Sequence, residues 1–451
     1  MLMERLIKSE KTKKEIGIVF ILLAFIALLG GVFFGSISAF QFIIPGFLDS
    51  ISFLKSRPLH VSLVVAWIFL SSVGGIYYYL PRYCNLPLFS KKLPRIHFWI
   101  FLITGIVILT CYFIGKFGGR EYWEFPPILA IPIFISWVLF GFNYFKTVFK
   151  KVGQWPVYLW MWGTGIFFFL FTFTESYLWV FPYFRDSVVR DVTVQWKSYG
   201  ALVGSWNMLV YGTAIFVMER IKGDESVAKS KLSFLMYFLG LTNLLFGWAH
   251  HIYIVPTQPW IRYFAYFISM TELIILGKMI WNWKKSLSKA KKDFHILPYK
   301  FLVASDLWVF LNLALALVIS IPAINVFSHG THITVAHAMG STIGINTMVL
   351  LASCFFLIGD ITKRQYSLRQ MKIITSGYWI ANVSLMIFWV SLILAGAEKG
   401  KMVVEDKLSF QEIMQNISPY LTVFTIAGIG LFIGLVLLII PALKEIKNYL
   451  K

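Results

Sequence analysis

The sequence has little charge and little cysteine, and each shortage excludes a class of protein. Only 14% of its 451 residues are charged, whereas a soluble protein carries about a quarter of its residues as Asp, Glu, Lys and Arg. The three cysteines, Cys84, Cys111 and Cys354, lie far apart, and none belongs to a CxxC or CxxCH pattern. These shortages exclude a soluble fold, a disulfide framework, a thiolate metal site and a covalently attached c-type heme.

Long apolar runs, by contrast, are abundant. Hydrophobic residues make up 58% of the chain, and the mean hydropathy is +0.73. A membrane-spanning helix needs roughly 20 apolar residues, and twelve such runs predict an all-α, polytopic fold with 12 transmembrane helices. We expect a single membrane domain over residues 1–451, in which 1–15 form a cytoplasmic amino-terminal segment. The predicted spans are 16–44, 58–81, 96–116, 127–149, 155–178, 192–218, 232–255, 259–283, 301–322, 330–359, 373–397 and 417–442.

The positive charge of the chain follows the predicted loops. The formal net charge is +20, which by itself suggests an anionic partner. Loops on the amino-terminal side of the membrane hold 29 of the 41 Lys and Arg residues, and the opposite loops hold 11. Because cytoplasmic loops carry an excess of Lys and Arg, both termini are predicted to be cytoplasmic. The charge sets the orientation in the membrane, and no nucleic-acid partner is needed.

Most histidines fall at one level of the membrane. His97 and His295 lie near the cytoplasmic edge and are expected to be solvated or interfacial, whereas the other six lie in the outer half of three spans. Histidine inside a bilayer is costly and marks function, and neutral imidazole binds Fe, Cu and Zn. A heme or metal site is therefore predicted, in preference to histidines that only bond carbonyls or line water. The six are His60, His250, His251, His329, His332 and His337.

Glu272 is the acidic residue that lies deepest in a predicted span. Nearly all of the 21 Asp and Glu residues map to loops or helix edges, but Glu272 lies thirteen residues into span 259–283. An isolated carboxyl at that depth favours its protonated form and can carry protons. The alternative is a protonated carboxyl that only hydrogen-bonds a neighbouring helix.

Five segments, in order along nearly the whole chain, carry a family resemblance. Together they resemble the heme-copper oxidase superfamily, and within it the large, catalytic subunit of nitric oxide reductase. Singly, a histidine pair is weak evidence; in this order, with twelve spans, the set is specific. The segments are Arg57-Pro58-Leu59-His60, Gly119-Arg120-Glu121-Tyr122-Trp123-Glu124 with Pro126, Gly247-Trp248-Ala249-His250-His251, Glu272, and Ser328-His329-Gly330-Thr331 followed by Ala336-His337.

The resemblance implies a ligand set. His60 takes the place of a low-spin heme ligand, and His337 that of the proximal ligand of a high-spin heme. The pair His250 and His251 takes the place of ligands to a non-heme metal, with Glu272 in the position of a family glutamate near it. Two further residues, Glu121 and Glu124, match a segment whose carboxylates lie near a calcium ion and heme propionates, so the resemblance implies calcium there.

Two departures from the family pattern alter this set. Where the family has His-x-His, this chain has His337-Ala338-Met339, so Met339 is implied as the second ligand of the low-spin heme, with core filler as the alternative. The family's third imidazole for the non-heme metal falls at Tyr199, and its two span glutamates fall at Val203 and Asn207. Water, Tyr199 or Glu272 would then occupy the remaining coordination positions of the metal. Alternatively, Tyr199 only packs, or hydrogen-bonds a ligand that is bound to the heme.

The implied activity is reduction of two NO to N2O and water, with Glu272 and Tyr199 as the catalytic candidates. The implied cofactors are two b-type hemes and a non-heme iron, rather than copper. Since the chain has no CxxCH of its own, the expected electron donor is a membrane-anchored cytochrome c subunit or a quinol. The expected location is the cell membrane of a bacterium or archaeon.

Three alternatives stay open from the residues. The altered ligand set is compatible with NO dismutation or oxygen reduction within the same superfamily. It is also compatible with a non-catalytic heme protein that senses gas or relays electrons. The third alternative is a transporter without heme, although no internal repeat of the transporter kind occurs.

Overall fold

The computed structural model describes residues 15–253, 255–256, 258–270, 272–363 and 366–451, without the side chains of 269, 272 and 273. Helices dominate these residues. No β-strand occurs in them, and one isolated bridge joins Arg120 to Trp123. The all-α prediction is therefore confirmed. Most of the predicted amino-terminal segment 1–15 lies outside the described residues.

Fourteen longer helices carry the fold in the described part of the chain. Short helical turns connect several of them, and a π-helix (Gly340–Thr347) joins α11 to α12. The longer helices are α1 (Ile16–Ile43), α2 (Phe53–Tyr83), α3 (Leu93–Phe113), α4 (Ala130–Val148), α5 (Val157–Glu175), α6 (Val188–Lys222), α7 (Lys231–Phe246), α8 (Pro259–Ser269), α9 (Glu272–Ser286), α10 (Ile296–Ile319), α11 (His332–Met339), α12 (Met348–Thr362), α13 (Leu368–Lys401) and α14 (Phe410–Leu450).

Eleven stretches of the described chain are long and apolar enough to cross a membrane, and they match eleven of the twelve predicted spans. The predicted span 259–283 is instead two helices, α8 and α9, of 11 and 15 residues, on either side of residue 271. Neither alone reaches the roughly 20 residues that cross a bilayer core. The polytopic membrane fold is confirmed, and the crossing by α8 and α9 stays a prediction.

The chain separates into two compact units. The first contains the chain up to Lys151 together with Ser353–Phe388 and Thr422–Lys451, and the second contains Val152–Ala352 and Trp389–Leu421. Helices α1–α4 lie wholly in the first unit, and α5–α11 lie wholly in the second. The single membrane domain over 1–451 stays a prediction.

In the first unit, α1 and α2 approach closely and aromatic residues enclose His97. A Cβ atom on Gly74 would lie 2.9 Å from Cβ of Phe20, so the two helices meet where glycine allows it. The ring of His97 is 1% exposed, packs against Phe20 and Phe140, and has its Nδ1 3.1 Å from the hydroxyl of Tyr77. The prediction that His97 is solvated or interfacial is therefore wrong, because aromatic residues of α1, α2 and α4 cover it.

Two of the irregular helical segments of the second unit lie next to histidines. Helix α7 ends at Phe246 and continues as a 3-10 turn, Gly247–Ile252. Helix α11 ends at Met339 and passes into the π-helix. Single-turn departures from α geometry are frequent at functional sites, and these two hold or follow the histidines that the sequence singles out.

Candidate heme and metal site

The 3-10 turn after α7 brings two consecutive imidazoles side by side. The ring centroids of His250 and His251 are 4.2 Å apart, with their planes inclined by 40°. Both side chains are half-buried, within an otherwise apolar span. Two nitrogen ligands are thus presented from one short segment.

Two further histidines of the second unit join this pair. His337, on α11, lies close enough to both His250 and His251 for the rings to interact electrostatically, and so does His329. The ring of His329 also hydrogen-bonds the backbone of His251; burial lowers the pKa of His329, and this bond opposes the shift. The fold therefore brings together four of the six histidines that the sequence places in the outer half of the membrane.

Two of these rings have a buried nitrogen that fits a ligand role. Within the described part of the chain, Nδ1 of His250 and Nδ1 of His337 are buried and make no hydrogen bond of good geometry, although the backbone of Gly247 lies against the ring of His250 and that of Asn312 against the ring of His337. A buried polar atom without a partner is costly, and an imidazole lone pair is satisfied when it binds a metal. His332 shares this feature, and its charged neighbour is Lys399.

Few side chains of the described residues are grouped so that they could hold a metal ion together. Among the described residues, no three His, Cys, Asp or Glu side chains are placed to hold one metal ion. Tyr199, on α6, is 2% exposed and meets the ring of Trp196 edge-on, with centroids 6.5 Å apart. Trp196 in turn stacks on His251 at 5.6 Å with an interplanar angle of 10°. The structure therefore places Tyr199 in the region of the histidine pair, one aromatic ring away.

Two other predicted site residues belong to the second unit. Glu272 is the first residue of α9, and its side chain lies outside the described residues. Met339 is the last residue of α11 and is half-buried. Their roles as a proton donor and a heme ligand stay predictions.

In the first unit, His60 is held by the backbone of α1. Its Nδ1 lies 2.7 Å from the carbonyl oxygen of Gly31. Because a carbonyl only accepts, Nδ1 carries the proton, and Nε2 keeps its lone pair for a metal. A Cβ atom on Gly35 would lie 2.6 Å from Nδ1, so the imidazole lies directly against a position that only glycine leaves open. The tautomer and orientation of His60 fit a heme ligand.

Arg57, three residues before His60, joins the two acidic residues of the loop between α3 and α4. Its Nη2 donates to Oε1 of Glu121 at 2.6 Å, and its Nη1 donates to Oε1 of Glu124 at 2.8 Å. Burial raises the pKa of Glu124 and the guanidinium opposes that shift, whereas burial and the charge of Glu121 raise the pKa of Tyr122 to about 12.

This loop does not by itself fit a calcium ion. Calcium takes six to eight oxygen ligands, and the carboxylates of Glu121 and Glu124 each use one oxygen on Arg57. No third acidic side chain joins them among the described residues. The guanidinium supplies positive charge at this loop, and a calcium ion there stays a prediction.

Four residues that contribute to these sites, Trp196, Gly31, Gly35 and Arg57, were not singled out as site residues from the sequence. Trp196 carries no motif, although the spacing of four residues from Trp196 to Gly200 places both on one face of α6. Gly31 and Gly35 show the same spacing, which is typical of closely packed membrane helices. Arg57 belongs to one of the resembling segments, but the sequence does not show that it meets a loop more than sixty residues away.

Several known proteins are similar to this chain in sequence or in fold. The family model described as cytochrome C and quinol oxidase polypeptide I matches residues 15–430. A nitric oxide reductase subunit of Stutzerimonas stutzeri is 22% identical over 438 residues, which cover 92% of this chain and 91% of that protein. The Cbb3-type cytochrome c oxidase subunit CcoN1 of the same organism is 23% identical over 407 residues, with coverages of 86% and 84%.

A solved structure supports the same fold. The cryo-EM structure of a heme-copper terminal oxidase dimer has a TM-score of 0.73 against this chain at 15% identity, covering 95% of this chain and 83% of that one. Members of this family are oxidoreductases that hold hemes and a metal at the active site. Since the family model spans nearly the whole length, the chain belongs to the cytochrome c and quinol oxidase polypeptide I family, the heme-copper oxidases, and is a multi-pass membrane oxidoreductase.

Proposed function

We propose that the chain reduces nitric oxide to nitrous oxide. The observation that carries the proposal is the convergence of His250 and His251 with His337 in the second unit. The 22% identity with the Stutzerimonas stutzeri nitric oxide reductase protein over 92% of the chain supports the same substrate. A heme held by His337 and a metal held by His250 and His251 would provide two binding positions at one site, which would remove the entropic cost of bringing two gas molecules together.

We assign the cofactors by ligand. His337 is the proposed ligand of a high-spin b-type heme, and His250 and His251 are proposed to bind a non-heme iron. His60 and Met339 are the proposed ligands of a low-spin b-type heme. When bound, these groups supply the electrons and the binding positions for the gas.

The protein's own residues would orient the ligands and deliver protons. The bond from Nδ1 of His60 to the Gly31 carbonyl holds its ring with Nε2 available. Glu272 is the proposed proton donor, by its place in the resemblance. Tyr199 is proposed either to complete the metal site or to bond a heme-bound ligand.

The partners and the location follow from the topology. With both termini in the cytoplasm, the six histidines of the outer half would lie on the side of the membrane where a membrane-anchored cytochrome c subunit presents its heme. Such a subunit or a quinol is the proposed electron donor. The proposed location is the cell membrane of a bacterium or archaeon.

Oxygen reduction is the second candidate, because the relative that is 23% identical over 86% of the chain is a cytochrome c oxidase subunit. The purified protein, supplied with a reductant and NO in the absence of oxygen, should consume NO and release N2O in a ratio of two to one by mass spectrometry. The variant His337→Ala should lose this activity and the high-spin heme spectrum, whereas His295→Gln, outside the site, should keep both.

Other outcomes would contradict the proposal in distinct ways. Release of N2 with O2 would indicate dismutation, and turnover of O2 alone would indicate an oxidase. A Soret band without turnover of either gas would indicate a sensor or an electron relay. Absence of any Soret band would exclude every heme function.

A further inference from the structure

One face of α6 packs along α7 and its 3-10 extension. Val192, Trp196, Gly200 and Gly204 are spaced four residues apart, so they share that face. A Cβ atom on Gly204 would lie 2.9 Å from Cγ of Leu244, and one on Gly200 would lie 2.7 Å from Cβ of Trp248. These are closer than side chains pack, so the two glycines let the backbone of α6 approach the segment that carries the histidine pair.

Trp196 occupies the next position on this face. Its ring stacks nearly parallel on the ring of His251, at 5.6 Å and 10°. His329 meets the same indole edge-on, at 6.2 Å and 70°. One indole thus covers one face of His251 and also borders His329, which bonds the backbone of His251.

The indole is itself held in place. Trp196 and Val192 pack against a buried apolar cluster, which is formed by residues of the 3-10 turn and by residues that follow it in the chain. A Cβ atom on Gly200 would lie 3.5 Å from Cδ2 of His251, which places the imidazole against α6 as well. The buried members of the cluster are Ala249, Ile252, Tyr253, Val255 and Ala265.

The small number of protein ligands for the metal makes the stack of Trp196 on His251 important. Tyr199 stands where the resemblance puts a third imidazole, and among the described residues no third His, Cys, Asp or Glu side chain is placed to hold a metal ion together with the pair. A metal held by two imidazoles has one metal–nitrogen bond fewer to fix the orientation of its ligands. Supporting contacts around a ligand then decide how well the site is ordered before the metal binds.

We propose that Trp196 is the positioning residue of the non-heme metal site. The stacked indole holds the imidazole of His251 in its binding orientation and so replaces part of the constraint that a third imidazole provides. The proposal rests on the proposed function in one respect, that His250 and His251 are the metal ligands.

The test measures metal binding rather than turnover. The full-length protein with its hemes is stripped of non-heme metal, reloaded with Co2+ against a competing chelator, and characterised by its Co2+ visible bands. Trp196→Leu should lower the Co2+ affinity about tenfold or more and shift the bands, because loss of a group that orients a metal ligand typically costs 10 to 100-fold. Trp196→Phe keeps a flat ring and should stay within about threefold of the wild type.

Val192→Ala is the matched control, because it loosens the same apolar cluster one turn away without touching the imidazole. It should keep the wild-type affinity and bands. If Val192→Ala weakens Co2+ binding as much as Trp196→Leu does, or if Trp196→Leu binds as the wild type does, the positioning role is wrong. If Trp196→Leu loses its hemes or its cooperative melting, Trp196→Met serves in its place, with the same expected loss.

The results that would contradict the metal assignment differ from those that would contradict the role of Trp196 alone. A wild-type protein that binds no Co2+ or Fe2+ beyond its hemes overturns both the metal assignment and the positioning role. A wild-type protein that binds the metal, with Trp196→Leu and Trp196→Met equal to it, overturns the positioning role alone.

Discussion

At the scale of single residues, the ligand candidates are defined by what holds them. His60 shows this best: the Gly31 carbonyl sets its tautomer, and the missing side chain of Gly35 leaves room for its ring. The identity of a ligand is visible in the sequence. Its orientation depends on small residues of another helix, which carry no chemical signal of their own.

Gly35→Ala should disturb the low-spin heme while leaving the rest of the protein folded. The added methyl would lie 2.6 Å from Nδ1 of His60, so the ring must move and its bond to Gly31 must break. The sharp low-spin bands of the reduced absorption spectrum should weaken, and the high-spin component should remain.

Gly30→Ala is the matched control, because there the added methyl would meet only the flexible end of Leu63, at 3.2 Å. This variant should keep the wild-type spectrum. A Gly35→Ala spectrum identical to that of the wild type would mean that His60 does not bind a heme in this orientation.

At the scale of elements, an ion-pair cluster fixes the loop between α3 and α4 to the start of α2. Arg57→Gln should lower the melting temperature, because it leaves the half-buried Glu124 without its counter-charge. The expected cost is roughly 1 kcal/mol, since Arg57 and Glu121 are about a third exposed and water screens the pair.

The cost of Arg57→Gln should depend on pH in one direction. Burial already raises the pKa of Glu124, and the guanidinium of Arg57 lowers it. Loss of the guanidinium therefore raises this pKa further. The ionised carboxylate is therefore destabilising in the variant at neutral pH, and protonation relieves it as the pH falls. The difference in melting temperature between wild type and variant should shrink on acidification, and a difference that grows would contradict the pairing.

The same cluster predicts the response to chelators. If Arg57 supplies the cation of this loop, EGTA should leave the melting temperature of the wild type unchanged. A marked fall with EGTA, reversed by Ca2+, would mean that calcium binds at this loop despite the guanidinium.

The π-helix after α11 sets the direction of the helix that carries His337. A π turn holds more residues than an α turn, so deletion of Thr342 should disrupt the π-helix and shift α11 relative to α12. The ratio of heme to protein should fall. Thr342→Ala keeps the chain length and should keep the heme; an unchanged heme content in the deletion variant would show that the π-helix does not position His337.

At the scale of the whole molecule, the sequence predicted the fold class and most of the spans because both depend on long apolar runs. It also singled out His250, His251 and His337, because histidine is rare inside membranes. It did not predict that His97 is enclosed by aromatic rings, since burial of a helix edge depends on neighbours far along the chain. The stack of Trp196 on His251 was hidden for the same reason: it depends on how close two glycines let α6 come to α7.

The number of crossings is the remaining question at this scale, and α8 with α9 decides it. If the pair crosses the membrane, the chain has twelve spans and both termini share a side. If it does not, the loops after α9 exchange sides. Loops 284–300, 361–372 and 443–451, which together hold 13 of the 41 Lys and Arg residues, move to the outer side, and loop 398–416, which holds three, moves to the cytoplasmic side. Translocation of so many basic residues opposes the positive-inside rule, so the crossing is expected.

A fluorescent protein that matures only in the cytoplasm, fused after Lys451, should therefore fluoresce, and alkaline phosphatase fused there should be inactive. Fusions in the loop 219–231 are the control, because six spans precede that loop whether or not α8 and α9 cross, so they should report the cytoplasm in either case. An active phosphatase at Lys451 with a fluorescent control would mean eleven crossings. It would also place the chain's last basic segment outside, against the charge pattern, and would leave α8 and α9 as a pair that enters and leaves the membrane on one side.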